Sequence, residues 1–146
     1  MDRDLIERRL EDALQQDPPT FGAFFLQRFF GMEVSYGDGT CTVMIPTADY
    51  MGNPQGTLHG GIIALAADMS MGHLCHRELS TAVTLDMDLR FLRPITGPAR
   101  CTARFLRPGR TVVNIQSEVT DDEGRLCAVA SATWFRLPTD TGGDDA

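Results

Sequence analysis

Lysine is absent from this chain, and all 13 of its fixed positive side chains are arginines. Set against 20 acids they leave a net charge of −7, which argues against a nucleic-acid backbone as the main partner. Long apolar runs are missing too, so no segment reads as a bilayer-spanning helix. The charged start Met1-Asp2-Arg3-Asp4 does not resemble a secretory signal. The four cysteines, Cys41, Cys75, Cys101 and Cys127, form no C-x-x-C pair, which argues against a disulfide framework or a zinc cage. Buried free thiols in a cytoplasmic protein are the expectation. At 146 residues the chain has the length of one ordinary domain with a real core.

What is present is unevenly placed. Arg90 to Ser117 holds six arginines (Arg90, Arg93, Arg100, Arg104, Arg107, Arg110) and no acid. Taken singly, each reads as a solvated strand position. Collectively they leave room for a small phosphorylated ligand, because a guanidinium is a bidentate phosphate donor.

Leu5, Ile6, Leu10 and Leu14 recur at helical spacing over Asp2 to Gln16, and Asp17-Pro18-Pro19 ends that run. Phe21 to Phe30 reads as a second short helix whose five phenylalanines suit a packing lid. From Gly31 the period changes. Met32–Tyr36 and Thr40–Ile45 read as strands around the turn Gly37-Asp38-Gly39. A helix is expected over Thr57–His76. Ala82–Leu92 then alternates, placing Val83, Leu85, Met87, Leu89 and Phe91 on one face and Thr84, Asp86, Asp88 and Arg90 on the other. Three more strands follow, over Ala99–Leu106, Thr111–Thr120 and Arg125–Leu137, with turns at Pro108-Gly109 and Asp121–Gly124. Consecutive hairpins imply an antiparallel sheet covered by the single apolar helix, an α+β arrangement. The expected organisation is a helical extension over 1–30, a domain over 31–138 and a loose acidic tail over 139–146.

The central helix carries the chemistry. Asp68 is the single carboxylate between Tyr50 and His76. Its apolar neighbours would desolvate it, raise its pKa and make it a usable base near neutral pH. Gly60 and Gly61 expose backbone N–H groups at the positive end of the helix dipole, where an oxyanion would be stabilised. Gly61, Ala64, Asp68 and Gly72 share one stripe of small residues. Gly60 and Asp68 lie about 12 Å apart along the helix axis, too far for one carbonyl to touch both. If both act together, they come from two antiparallel helices, and the site lies on a homodimer interface.

The set Asn53, Gly56, His59-Gly60-Gly61 and Asp68, with Phe91-Leu92-Arg93-Pro94 downstream, resembles hotdog-fold acyl-CoA thioesterases of the phenylacetate-pathway (PaaI-like) branch. The likeness runs from about Gly31 to Leu137. It implies a hotdog fold, an antiparallel sheet wrapped around one long central helix, and hydrolysis of acyl-CoA. It further implies Asp68 as general base or nucleophile and the Gly60 N–H as oxyanion donor, with Asn53 and His59 positioning the thioester and water. Thr84 would bind that water, although threonine is also simply a good strand former. Gly61 and the arginines after Arg90, among them Arg93, Arg107 and Arg110, would hold the substrate and the phosphates of coenzyme A. The resemblance implies a homodimer and a dimer of dimers.

Phe21, Phe24, Phe25, Met69 and Met71 are candidates for an apolar pocket. His73, Cys75 and His76 lack an obvious fourth ligand, so neither a metal nor a cofactor is expected. Two rivals remain. A hydratase of the same fold needs a histidine two residues after Asn-Pro, and His59 lies five beyond Pro54. A non-catalytic acyl-CoA sensor would usually bring a basic DNA-binding segment, which the first thirty residues lack.

Overall fold

A computed structural model of the chain describes residues 1–15 and 19–138. The proline stop at Asp17-Pro18 and the acidic tail over 139–146 lie outside the described residues. Helix α1 (Arg3–Leu14) begins where the Asp2 carboxylate accepts the Leu5 N–H at 2.9 Å, an N-cap that satisfies one of the orphan donors of the first turn. The second helix is much shorter than its sequence suggested. α2 spans only Phe25–Phe29, because Gly22 adopts a left-handed φ of +79° and Thr20 pairs with Ala23 in an isolated bridge.

Strands β1 (Glu33–Gly37) and β2 (Thr40–Ile45) form the expected hairpin, with Gly39 at φ +65° in its turn. Helix α3 (Gly60–Glu78) starts three residues later than expected. Strands β3 (Ala82–Phe91), β4 (Ala99–Pro108), β5 (Val112–Asp121) and β6 (Leu126–Arg136) complete one antiparallel sheet of order β1-β2-β4-β5-β6-β3. The strict chain of hairpins is corrected in one place. β3 does not pair with β4 but crosses to the far edge beside β6. The crossover runs through Pro94 and Pro98, which cannot donate to a ladder, and is pinned by buried Ile95, whose carbonyl accepts the Leu58 N–H.

The helix lies on the face of the sheet that carries Cys41, Val43, Ile45, Cys101, Val113, Ile115 and Val119, all buried. Along α3, Ile63, Ala66, Ala67, Ser70, Met71 and Leu74 point into this core. The small stripe Gly61, Ala64, Asp68 and Gly72 stays at least partly exposed, as the helical spacing required. All four cysteines are free and buried. Burial pushes the Cys41 and Cys101 thiols up to about 12, so neither is a thiolate nucleophile near neutral pH.

One local irregularity decides the geometry of the site. β3 pairs Thr84 with Trp134 and Asp86 with Thr133, so Leu85 is an extra residue and forms a bulge. The alternation predicted from sequence therefore changes phase. Thr84 shares the helix-facing side with Met87 and Leu89, while Val83 and Leu85 stand exposed.

Candidate active site

Asp68 sits at the midpoint of α3, half-buried, and its carboxylate accepts the Thr84 hydroxyl at 2.7 Å. Burial pushes this carboxyl above the ordinary carboxylate range, and the hydrogen bond from Thr84 opposes the shift because it favours the ionised form. The acid borders a cleft of about 390 Å³ whose walls include Phe21, Phe24, Met69, Gly72 and Trp134. Such a volume and lining suit an apolar group, with one titratable residue at its edge. Met71 and Phe25 do not join this wall. Met71 is fully buried in the core, and Phe25 stacks on Phe29 with ring centroids 5.8 Å apart.

The other half of the predicted set gathers at the start of the helix. His59 is the N-cap, and its Nδ1 accepts the Gly61 N–H at 2.9 Å. Its carbonyl accepts from Ile62 and Ile63. Of these first N–H groups only that of Gly60 finds no acceptor among the described residues. A free, dipole-aligned donor at a helix N-terminus is suited to developing negative charge. Gly61, by contrast, spends its N–H on the cap.

Asn53 builds the loop that delivers this end. Its Oδ1 accepts the N–H groups of Gln55 and Thr57, and its Nδ2 donates to Thr57 Oγ1 at 2.8 Å. Asn53, Gly60, Phe91 and Arg93 border a second cleft, also about 390 Å³. A Cβ at Gly60 would stand 3.1 Å from the Phe91 ring, so glycine admits that ring as well as baring the N–H.

Within one chain the predicted residues thus form two groups, Asn53–His59–Gly60–Arg93 and Asp68–Thr84. The register shows that they belong to opposite ends of the sheet. Phe91, Ala128, Val119 and Cys101 align across four strands at one end, while Thr84, Trp134, Val113 and Pro108 align at the other. Arg93 therefore stands at the Gly60 end. Arg107 and Arg110 stand at the Asp68 end, and neither forms an ion pair among the described residues.

His73 entered the sequence reading only as a member of an incomplete metal set, and the structure gives it a different place. It is buried, its Nδ1 bonds the Met69 carbonyl at 2.8 Å, and its Nε2 accepts the Gly22 N–H at 3.1 Å. Burial lowers its pKa, so the ring is neutral near pH 7. His76 bonds Thr81 Oγ1 through Nδ1 and stacks on Phe21 with centroids 3.7 Å apart. These contacts occupy the histidines that sequence spacing had weighed as metal ligands. An apolar helix carrying a histidine was a visible signal; its partner Gly22, 51 residues away, was not.

Comparison with known proteins places these features in context. The pattern of the Thioesterase superfamily matches residues 55–128. A protein of Saccharolobus solfataricus named "Putative esterase SSO2140" is 35% identical over 104 residues, covering 69% of this chain and 74% of its own length. The medium/long-chain acyl-CoA thioesterase YigI of Escherichia coli is 31% identical over 98 residues, 56% of this chain and 63% of YigI. Among solved structures, the BH2602 protein of Bacillus halodurans, crystallised with CoA, superposes with a TM-score of 0.81 at 25% identity over 94% of this chain and 93% of that one. The PaaI protein of the E. coli phenylacetic acid degradation operon shares the fold at 19% identity, with a TM-score of 0.76 over 88% of this chain and 96% of PaaI.

Proposed function

The chain belongs to the Thioesterase superfamily and has its hotdog fold, and from that premise we propose that it hydrolyses acyl-CoA thioesters at a site shared between two copies. The observation that carries the proposal is the pairing of a desolvated Asp68 with a free Gly60 N–H that its own chain keeps about 12 Å away. Two copies related by a two-fold axis place Gly60 of one beside the Asp68 of the other. A thioester carbonyl held there would point its oxygen at the Gly60 N–H, and Asp68 would take a proton from water or attack the carbonyl carbon itself. A thiolate is a good leaving group, so one carboxylate and one aligned donor suffice.

In this reading Thr84 orients the carboxylate through its 2.7 Å hydrogen bond. His59 and Asn53 act by presenting the helix end, the first as its cap and the second as the organiser of the preceding loop. The same two-fold relation brings Arg93 of one copy toward the end that bears Arg107 and Arg110 of the other. The phosphates of coenzyme A would lie among these arginines. The CoA in the Bacillus halodurans relative and the substrate in the name of YigI support a CoA ester.

The open edge of the sheet supports the dimer. β3 leaves Val83, Leu85 and Phe91 between 44% and 58% exposed on a strand that is paired on one side only, a surface that a second copy would cover. Val112 and Phe135, cross-strand neighbours on the outer face and likewise exposed, offer a second surface for a dimer of dimers. Among the described residues no helix is long and apolar enough to cross a membrane.

Turnover of a panel of acyl-CoA esters, followed by release of the free thiol, tests the reading. Steady release is expected, with kcat reduced by about 10³-fold or more in Asp68→Ala. Unchanged turnover in that variant overturns the mechanism. Tight binding of the whole panel without turnover would identify a sensor instead.

A further inference from the structure

The segment Pro19–Phe24 forms one wall of the cleft beside Asp68, and α3 with Trp134 forms the other. What fixes the segment there is specific. The Nδ1 of His73 bonds the Met69 carbonyl, four residues earlier in the helix, and a carbonyl can only accept. Nδ1 therefore carries the proton and Nε2 is the acceptor for the Gly22 N–H at 3.1 Å. Gly22 reaches that position through its left-handed φ of +79°, with open space around it, so backbone conformation rather than crowding selects glycine. On either side of this bond, Phe21 stacks on His76 at 3.7 Å and meets the His73 ring edge-on at 5.2 Å, while Phe24 lies 6.4 Å from the same ring. One buried imidazole thus contacts Phe21, Gly22 and Phe24 of the wall together.

We propose that His73 is a positioning residue for substrate selection. By accepting the Gly22 N–H it holds Pro19–Phe24 against α3, and the resulting wall selects thioesters whose acyl group carries an extended apolar tail. This rests on the acyl-thioester reading above. The tail lies between Phe21 and Phe24 on one side and Met69 and Trp134 on the other, with the carbonyl left at Asp68. Gly72 lets the Trp134 ring pack close to α3 in this wall, because a Cβ there would stand 2.9 Å from that ring. The cleft, at about 390 Å³, exceeds the roughly 150 Å³ that accommodates a benzene ring. Each methylene buried in it should tighten binding by up to about fourfold.

The test is a series of straight-chain acyl-CoA esters from acetyl to dodecanoyl, assayed with the full chain and with His73→Leu, His73→Gln and Phe21→Ala. Wild type should show KM falling stepwise with length until the cleft is filled. The ratio of kcat/KM for decanoyl over acetyl should drop at least tenfold in His73→Leu and in Phe21→Ala, through KM rather than kcat. His73→Gln, whose side-chain carbonyl can accept the Gly22 N–H, should keep most of the ratio. An unchanged ratio in His73→Leu and Phe21→Ala, or equal losses in His73→Gln and His73→Leu, overturns the proposal. The single tryptophan of the chain, Trp134, lies in this cleft, so titration with decanoate read by its fluorescence probes the wall without turnover. Saturable binding, weakened at least tenfold in Phe21→Ala, supports the wall even where no ester is hydrolysed, in which case the hydrolase reading alone fails. Turnover with no effect of decanoate removes the wall and leaves the hydrolase.

Discussion

The Thr84 hydroxyl reaches the Asp68 carboxylate at 2.7 Å because the Leu85 bulge turns Thr84 toward the helix. The bond donates to the ionised acid, so it holds down a pKa that burial raises. Thr84→Val keeps the shape and removes the donor. The acid limb of its kcat/KM profile should move to higher pH, because a base with a higher pKa loses its proton later, and kcat/KM on that limb should fall while the plateau above it is kept. Thr84→Ser should restore the wild-type profile. A pH–rate profile of both variants checks this, and coincident acid limbs in Thr84→Val and wild type would refute it.

Asp68 should also cost the fold stability at neutral pH. Its folded-state pKa lies above the unfolded value near 3.9, so the folded chain binds its proton more tightly than the unfolded chain. The contribution of that proton is fully present below about pH 3.9 and is lost as pH rises through the raised pKa. Asp68→Asn, which cannot ionise, should therefore melt about 1–3 °C above wild type at pH 7–8. The gap should close as pH falls toward 4. Thermal unfolding across that range, alongside loss of turnover in the same variant, measures the trade between stability and activity.

These two residues show how much the sequence disclosed. Asp68 was visible because a lone acid in an apolar helix stands out against its neighbours. The helix, the β1–β2 hairpin and the six strands were visible because hydrophobic period and turn residues are local signals. Thr84 was named as a site residue, yet strict alternation placed it on the face opposite Met87. A bulge adds one residue with no compositional mark, and everything before it changes sides. The crossing of β3 to the far edge was hidden for a related reason, since pairing order depends on contacts remote in sequence. The same holds for His73, whose partner Gly22 lies in another segment, and for the shortened α2, where Gly22 interrupts a run of good helix spacing.

The Gly60 N–H admits a substitution that separates chemistry from crowding. His59 has φ −63° and ψ 133°, the extended backbone that precedes proline comfortably, and Gly60 is the first helical residue. Gly60→Pro should therefore fold while removing the one donor. Gly60→Ala keeps the N–H, and both variants push against the Phe91 ring, so crowding is common to the pair. Gly60→Ala is expected to lose less than tenfold in kcat and Gly60→Pro about 10²–10³-fold. Similar losses in the two would show that steric displacement of Phe91, rather than the missing donor, is responsible.

Those variants also decide whether one site draws on two chains. Asp68→Ala and Gly60→Pro homodimers each lack one half of both sites. In a mixed dimer, the Gly60 of the first chain meets the Asp68 of the second, which regenerates one intact site and leaves the other doubly defective. Unfolding and refolding an equimolar mixture should give about half mixed dimers, and hence about a quarter of wild-type activity from two nearly inactive parents. Separate affinity tags on the two chains allow the mixed species to be isolated, where about half of wild-type activity per dimer is expected. A site contained within one chain predicts no recovery at all, since every chain in the mixture carries a defect. Recovery must also depend on subunit exchange, so mixing the native homodimers without refolding should restore activity only as fast as the dimers dissociate.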